Sequence, residues 1–257
     1  RNMQSIRSQN AMIFGLLDRE NRLEISIPFT TDNATWHITK ANNYLPYKAV
    51  LWRPENMGVP KNQITGWLYT NRIQFYELWK AVKGKRVFVS TSNPDIQVQA
   101  FLDEKKLYVA LNNLDDAAQQ VALDISSIKS NVSDLFVKSL TVYSDDFPRY
   151  YEQTIGTIPD IFSIDPAETI VLEFNLKNSI KFNNKIKSSR YYTNNYLLPI
   201  EAQKELVFEF NEVQLGVGFA KLSMSIGRGH DLSKTPEVFV NDNKVEVPLN
   251  WKGYDQA

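Results

Sequence analysis

Residues 96–113 read IQVQAFLDEKKLYVALNN. Apolar side chains fall on every second position through Ile96, Val98 and Ala100, then again through Leu107, Val109 and Leu111, with Asp103-Glu104 between the two runs. A period of two puts alternate side chains on opposite faces of an extended chain, so the stretch reads as two strands joined by a short turn. The same pattern continues on either side. VFVSTS (87–92), QQVALDI (119–125), SLTVYS (139–144) and TIVLEFNL (169–176) are further short strands, set apart by turn residues such as Asn93-Pro94 and Asp165-Pro166. Six such strands imply a β-sandwich with limits at 87–176.

Beyond it, NLKNSIKFNNKIKSS (175–189) is polar and rich in Lys and Asn, the composition of a link to a further unit. ELVFEF (205–210), VGFAKLSMSIG (217–227) and EVFVNDNKVEVPL (237–249) then form a second β-rich region, with a hairpin turn expected at Asn241-Asp242-Asn243. The closing WKGYDQA supplies no final strand. The second sandwich, 177–257, is therefore expected to be incomplete here and the natural polypeptide to continue, because a missing strand leaves an open edge.

The residues before Arg86 follow a different rule. Met3, Ile6, Met12, Ile13, Leu16 and Leu17 stand near helical spacing in Met3 to Arg19, and LEISIPF (23–29) reads as a strand. After a long loop, Ile73, Tyr76, Trp79 and Val82 mark a second helix, with Thr70 or Asn71 as its cap and Gly84 to end it. Helix, strand, long loop, helix is the order of the last units of a (β/α)8 barrel, assigned to residues 1–86. The expected fold class is thus α/β plus all-β: the end of a TIM barrel followed by two β-sandwich domains. Loops that follow barrel strands form the active face, so the segment from Thr30 to Tyr69 is expected beside a substrate.

That segment and the helix after it hold four of the five tryptophans, Trp36, Trp52, Trp67 and Trp79, together with Tyr44, Tyr47, Tyr69, Tyr76 and His37. Flat side chains with a polar tip suit a sugar, burying its apolar C–H faces while neighbouring Asn, Arg and His hold the hydroxyls. The competing explanation is that aromatics fill a core. Pro46, Pro54, Gly58 and Pro60 break the segment and favour a surface loop. The expected substrate-binding residues are Trp36, His37, Trp52, Arg53, Glu55, Trp67 and Tyr69. Trp36 and His37 follow the strand closely enough to stand at a cleft wall, and Trp52 with Arg53 reads as a stacking plane beside a cation that suits hydroxyls or a sulfate ester. Trp67 and Tyr69 fit barrel packing equally well, and Trp79 is assigned to the core.

Bulk properties narrow the partners. Lys plus Arg number 29 and Asp plus Glu 29, interspersed, so the basic footprint of a nucleic-acid binder is missing and a neutral polymer suits the surface better. No cysteine occurs, which excludes disulfides and thiolate metal sites and fits a secreted bacterial protein as well as a cytosolic one. No apolar run approaches the roughly 20 residues that span a bilayer, and RNMQSIRSQN (1–10) lacks the apolar core of a signal peptide. The abrupt start is that expected of an internal fragment.

Several segments resemble a known family: ATWHI (34–38), NNYLPY (42–47), WLYTNRIQFYELWKAVKGKRV (67–87), TSNPDIQVQAF (91–101), LYVALNNL (107–114) and VFVNDNKVEVPLNWKGYDQ (238–256). In matching order over essentially the whole chain, they resemble the C-terminal portion of glycoside hydrolase family 86, the β-agarases and β-porphyranases. The resemblance implies a (β/α)8 barrel followed by two β-sandwiches, with residues 3–19 as the seventh barrel helix and 23–29 as the eighth strand. It implies a retaining mechanism with two glutamates, one acid/base and one nucleophile, roughly 5 Å apart. In such barrels these project from strands four and seven, upstream of Arg1, so no catalytic residue is expected in this chain. The implied protein is a secreted, periplasmic or cell-surface bacterial enzyme, monomeric and without organic cofactor, that cleaves β-1,4 bonds in agarose or porphyran.

Of the carboxylates present, Glu24 alternates with Ile25 and Ile27 and would serve either as a supporting acid in the barrel mouth or as a charge facing a helix. Asp18 and Glu20 read as solvated, and Glu77 as a surface residue. His37 has only His230 as a histidine partner, in a different domain, which argues against a metal. GRGHD (227–231) is a turn rather than a phosphate loop. Asp242 and Asn243 offer oxygens to a structural calcium, though a hairpin turn accounts for them without an ion. Two rival readings are a non-catalytic carbohydrate-binding β-sandwich protein and a structural spacer with no ligand.

Overall fold

The structure is a computed structural model that describes residues 2–18, 25–28, 31–142, 147–181, 189–218, 220–227 and 236–247. Residues 1–180 and 235–256 form one compact unit, and residues 181–234 belong to a second. In chain order the elements of the first unit are α1 (Asn2–Leu17), β1 (Trp52–Pro54), β2 (Trp67–Tyr69), α2 (Ile73–Trp79) and β3 (Lys85–Val87). Then come β4 (Ile96–Asp103), β5 (Lys106–Asn113), β6 (Gln119–Ala122), β7 (Val132–Thr141) and β8 (Arg149–Ile155). The last four are β9 (Ile161–Ile164), β10 (Thr169–Leu176), β11 (Val238–Val240) and β12 (Asn243–Val245).

The 96–113 stretch forms the hairpin its alternation predicts. β4 and β5 pair from Ile96↔Asn113 to Asp103↔Lys106, with the turn at Glu104-Lys105, one residue later than expected. Glu104 takes the left-handed conformation there, at φ 50°. This hairpin sits within a six-stranded antiparallel sheet of order β3-β4-β5-β10-β7-β8. One face is covered by the two-stranded sheet β6-β9. Ile96, Val109, Leu111, Leu135, Val137, Ile170, Leu172 and Phe174 meet Phe162 and Ile164 there, giving the sandwich core.

The other face is equally buried. Phe101, Tyr108, Ala110, Leu140 and Val171 pack against Ile6 and Phe14 of α1 and against Phe75 and Leu78 of α2. Seven of the eight residues of β10 are buried, as expected of a strand covered on both sides. Polar residues on the helix-facing side find partners on the helices or on each other. The buried Gln99 donates to the carbonyl of Phe14 at 3.1 Å and to Asp18 at 2.8 Å, while Arg86 donates to Gln99 Oε1 at 2.9 Å and to Asp18 at 2.7 Å. Gln97 donates to the carbonyl of Ala11 at 3.1 Å. Asp18, expected to be solvated, therefore ties α1 to the sheet. On the neighbouring strands Thr169 donates to Asn112 at 2.7 Å, and Lys106 pairs with the buried Glu173.

The second helix is held in a similar way. Lys138 and the Tyr150 hydroxyl each approach the carbonyl of Glu77, in its last turn, at 3.5 Å. Burial pushes the Lys138 ammonium below its ordinary value, with the nearby Lys80 charge acting in the same sense. Glu77 itself pairs with Lys80 at the surface, as expected. Trp79 stacks edge-on against Phe14 at 5.5 Å and donates to Asn10 Oδ1 at 3.0 Å, so it is part of the core. The helix starts at Ile73 after Arg72, with no side-chain cap, and the Thr70 hydroxyl donates to the carbonyl of Val50 at 3.0 Å. Gly84 follows at φ 106°, where a Cβ would come within 2.3 Å of the carbonyl oxygen of Leu102, so the position admits only glycine.

Several expected strands differ. Only Val87 of 87–92 is in a strand, because β3 runs from Lys85. SLTVYS is the end of a longer β7, with residues 143–144 outside the described residues. β8 and β9 were not expected: the first mixes Arg149, Glu152 and Gln153 with its tyrosines at a sheet edge, and the second has four residues. Of the expected strand 23–29, residues 23, 24 and 29 lie outside the described residues. Residues 25–28 pair with nothing described, and Ile25 and Ile27 are exposed. A barrel strand needs a hydrogen-bonded neighbour on each side, and none is among the described residues.

In the second unit, residues 205–210 and the described part of 217–227 make no ladder. Their apolar side chains Val207, Phe208, Phe210, Leu222 and Met224 are exposed, as alternation without a pairing strand requires. The hairpin at 241–243 does form, within the first unit. β11 pairs with β12 across Asn241-Asp242, both left-handed at φ 47° and 64°, the conformation a two-residue hairpin loop demands.

Glu168 yields a pH test. It is buried just before β10, accepting a bond from the Ser139 hydroxyl and one from the Asp165 N–H at 2.7 Å. Desolvation raises its pKa, against the lowering effect of those two bonds. A carboxyl that holds its proton more tightly folded than unfolded loses stability as pH rises from the unfolded value, about 4.3, through the raised folded one. Glu168→Gln keeps both bonds, its amide donating to Ser139. Urea unfolding from pH 4 to 7 should show the wild type losing stability relative to Glu168→Gln as pH rises. Gly84→Ala should lower unfolding free energy by about 2 kcal/mol or more in the same assay.

Candidate carbohydrate-binding surface

The aromatic segment is a folded loop. Two 3-10 turns, Thr35–His37 and Lys40–Asn42, are flanked by three non-glycine residues in the left-handed region: Ala34 (φ 44°), Asn43 (φ 52°) and Tyr44 (φ 55°). Asp32 accepts from the Ala34 N–H at 3.0 Å. Asn42 donates to the carbonyl of His37 at 2.8 Å, and Tyr44 N–H to that of Thr39 at 2.8 Å. Ala34, Ile38 and Val50 are buried beneath. Strain of this kind persists only where the surroundings fix it, and it concentrates at functional sites.

On this base Trp36 stands 61% exposed. Its ring lies 5.6 Å from that of His37 and 5.4 Å from that of Tyr47, and His37 lies 5.3 Å from Tyr47. His37 is half-buried, with Nδ1 3.2 Å from the carbonyl oxygen of Leu45. A carbonyl accepts only, so in the neutral ring Nδ1 carries the proton and Nε2 is an acceptor. Tyr47 was not among the residues expected at the site. Its signal in the sequence was only its membership of the aromatic run, since contact with Trp36 depends on the turns between them.

Trp52 and Tyr69 meet across a two-stranded ribbon. β1 and β2 pair as Trp52↔Tyr69, Arg53↔Leu68 and Pro54↔Trp67, and the Trp52 and Tyr69 rings stack at 3.8 Å and 32°. Trp67 and Pro54 share that face, whereas Arg53 falls on the other, as successive strand residues must. Arg53 donates to the carbonyl of Pro54 at 3.2 Å. Tyr69 thus lies against the Trp52 ring, and Arg53 stands on the opposite face of the ribbon. Glu55 is exposed and its N–H donates to the carbonyl of Gly66 at 2.9 Å. Its carboxylate lies over Gly66, 2.8 Å from where a Cβ would stand. Among the described residues no ring contact joins the Trp36 cluster to the Trp52–Tyr69 pair.

Glu20, Glu24 and residues 228–231, His230 included, lie outside the described residues. Among the described residues no three His, Asp or Glu gather where they could hold a metal, and no helix is long and apolar enough to cross a membrane. Asp242 and Asn243 belong to the hairpin, with Asn243 donating to the carbonyl of Asn241 at 2.8 Å. A groove of 410 Å³ at the sandwich, lined by Lys129, Ser133, Asp134, Thr157 and Asp160 among others, contains none of the expected site residues.

Sequence comparison relates the chain to known proteins. Residues 95–198 match the family model described as porphyranase beta-sandwich domain 1, and residues 207–257 that for the beta porphyranase A C-terminal region. Beta-porphyranase A of Phocaeicola plebeius is 46% identical over 255 residues, 99% of this chain and 35% of that protein. A solved beta-porphyranase of glycoside hydrolase family 86, from the human gut bacterium Bacteroides plebeius, superposes with a TM-score of 0.82 at 45% identity. It covers 99% of this chain and 45% of that one. Over nearly its whole length the chain resembles the C-terminal portion of a glycoside hydrolase of family 86. A funoran endo-beta-hydrolase of Wenyingzhuangia aestuarii is 34% identical over 98% of this chain and 34% of its own length. The chain thus spans about a third of the length of these curated relatives.

The Trp52–Tyr69 stack should stabilise the ribbon directly. A double-mutant cycle with Trp52→Ala and Tyr69→Ala, read by urea unfolding, should give a coupling energy of about 0.5–1.5 kcal/mol.

Proposed function

We propose that this chain is the C-terminal part of a secreted bacterial endo-acting retaining β-glycosidase that hydrolyses β-1,4 bonds in red-algal galactans, agarose or porphyran. The observation that carries the reading is similarity, over nearly the whole chain, to proteins named for cleaving porphyran and funoran. In this reading residues 1–86 are the end of the catalytic (β/α)8 barrel, 87–176 the first β-sandwich and 177–257 the second. The two glutamates of the retaining mechanism come from the part of the polypeptide that precedes Arg1. One would protonate the leaving oxygen while the other attacks the anomeric carbon from about 5 Å away, and water would then release the glycosyl group.

The contribution of this chain is binding and position. Trp36, His37, Trp52, Arg53, Glu55, Trp67 and Tyr69 would line part of the cleft, with aromatic faces against the sugar C–H surfaces and polar tips on the hydroxyls. Holding a galactan against the barrel in the right register favours the distorted, oxocarbenium-like sugar of the transition state. No organic cofactor enters this chemistry.

The test is hydrolysis of agarose and of porphyran by the polypeptide that carries this chain, with products followed by mass spectrometry and the anomeric configuration by NMR. Oligosaccharides released with the β configuration first are the expected outcome. Binding without products would sink the hydrolase reading and leave a carbohydrate-binding protein. Trp36→Ala should raise KM for the preferred galactan about tenfold, the scale set by losing one aromatic face.

A further inference from the structure

We propose that Tyr47 is a further sugar-contacting residue, which forms with Trp36 the two planes of one preformed subsite and with Nε2 of His37 its polar reader. The inference rests on the reading of the chain as part of a galactan hydrolase. Tyr47 follows Trp36 by 11 residues, yet the turns at 35–37 and 40–42 bring the rings to 5.4 Å at an interplanar angle of 42°. At that angle the two rings meet at a tilt rather than lying flat on one another. Both remain exposed, Trp36 at 61% and Tyr47 at 38%. By contrast, Trp52 and Tyr69 stack at 3.8 Å and 32° and each covers one face of the other.

A ring cluster that served only packing would turn its faces inward. Here Ala34 and Ile38, which flank the first turn, are buried, while Trp36 and Tyr47 remain exposed. The backbone beneath is held by the bonds from Asn42, Tyr44 and Ala34, so the tilted pair exists before a ligand arrives. His37 touches both rings, and Nδ1 lies 3.2 Å from the Leu45 carbonyl oxygen, which in the neutral ring leaves Nε2 as the acceptor. Nε2 makes no hydrogen bond to protein among the described residues. An acceptor beside two aromatic planes matches a pyranose, which offers C–H faces to the rings and a hydroxyl proton at its rim.

The measurement is KM and kcat on a porphyran- or agarose-derived oligosaccharide, using the intact polypeptide that carries this chain. Tyr47→Ala should raise KM about tenfold with kcat little changed, and Tyr47→Phe, which keeps the plane, should raise it less. If Tyr47→Ala does not fold, Tyr47→Leu fills the volume without a planar face and carries the same expectation. A parent enzyme that cleaves galactan while Tyr47→Ala or Tyr47→Leu keeps KM within about twofold overturns the assignment of Tyr47 and leaves the hydrolase reading intact. A parent that cleaves no galactan overturns the reading beneath it.

Discussion

A sheet buried on both faces has no solvent side for its polar residues, and this constraint organises the first unit. Each polar side chain on the helix-facing side must find a partner or leave a desolvated group unpaired, at about 1–3 kcal/mol. The partners are largely helix carbonyls. Gln97 and Gln99 bind those of Ala11 and Phe14 in α1, and Lys138 with Tyr150 approach that of Glu77 in α2. The Phe14 carbonyl also accepts from the Asp18 N–H at 3.2 Å, so Gln99 takes its second lone pair, whereas the Glu77 carbonyl lies in the last turn of α2, where intrahelical donors run out. Apolar packing brings the helices to the sheet, and the polar contacts define where along it they stop.

That register reaches the aromatic surface through a short chain of contacts. The segment that leads into α2 is bonded at Thr70 to the carbonyls of Val50 and Leu51, by its hydroxyl at 3.0 Å and its N–H at 2.8 Å. Val50 is buried two residues before β1, so the lead-in to α2 and the β1–β2 ribbon share one anchor. Arg72 at the start of α2 also donates to Ser5 of α1 at 3.1 Å. A displacement of either helix would therefore strain the lead-in to α2 and the ribbon that carries Trp52 and Tyr69. The sandwich, which holds none of the expected sugar-binding side chains, thereby acts as the rigid mount for those that precede it.

The sequence made the strands legible where burial and alternation agree. β4, β5 and β10 carry apolar residues toward the sandwich core at every second position, and their expected limits fall within a residue or two of the observed ones. The polar residues of β4 were ambiguous for a physical reason: alternation that signals a solvated face is also what a helix docked through its carbonyls requires. β8 and β9 escaped because an edge strand with one partner tolerates Arg, Glu and Gln, and because four residues carry too little period to detect. The alternating segments at 205–210 and 217–227 show the converse error. Alternation states which faces a strand would have and says nothing about whether a partner is present. In the candidate site, exposure of Trp36 and adjacency to His37 could be anticipated from the loop-like composition. The Trp36–Tyr47 contact could not, since it depends on three left-handed residues that no periodicity encodes.

The exposed rings themselves argue for a binding role on energetic grounds. An indole presents on the order of 200 Å² of surface, and leaving 61% of it in water forgoes about 3 kcal/mol of burial at roughly 25 cal/mol per Å². Left-handed Ala34 and Tyr44 add strain of order 1 kcal/mol each, and the loop keeps them where glycine would relieve it. A loop selected for stability alone would turn Trp36 inward or replace it. One that instead fixes a tryptophan outward on a hydrogen-bonded base is explained when the missing contact surface comes from a ligand. Among ligands, a polymer of pyranose rings fits a surface that pairs apolar planes with polar tips. The even balance of 29 basic and 29 acidic residues gives the chain as a whole no long-range pull toward a polyanion, so recognition there would depend on contact rather than on attraction at a distance.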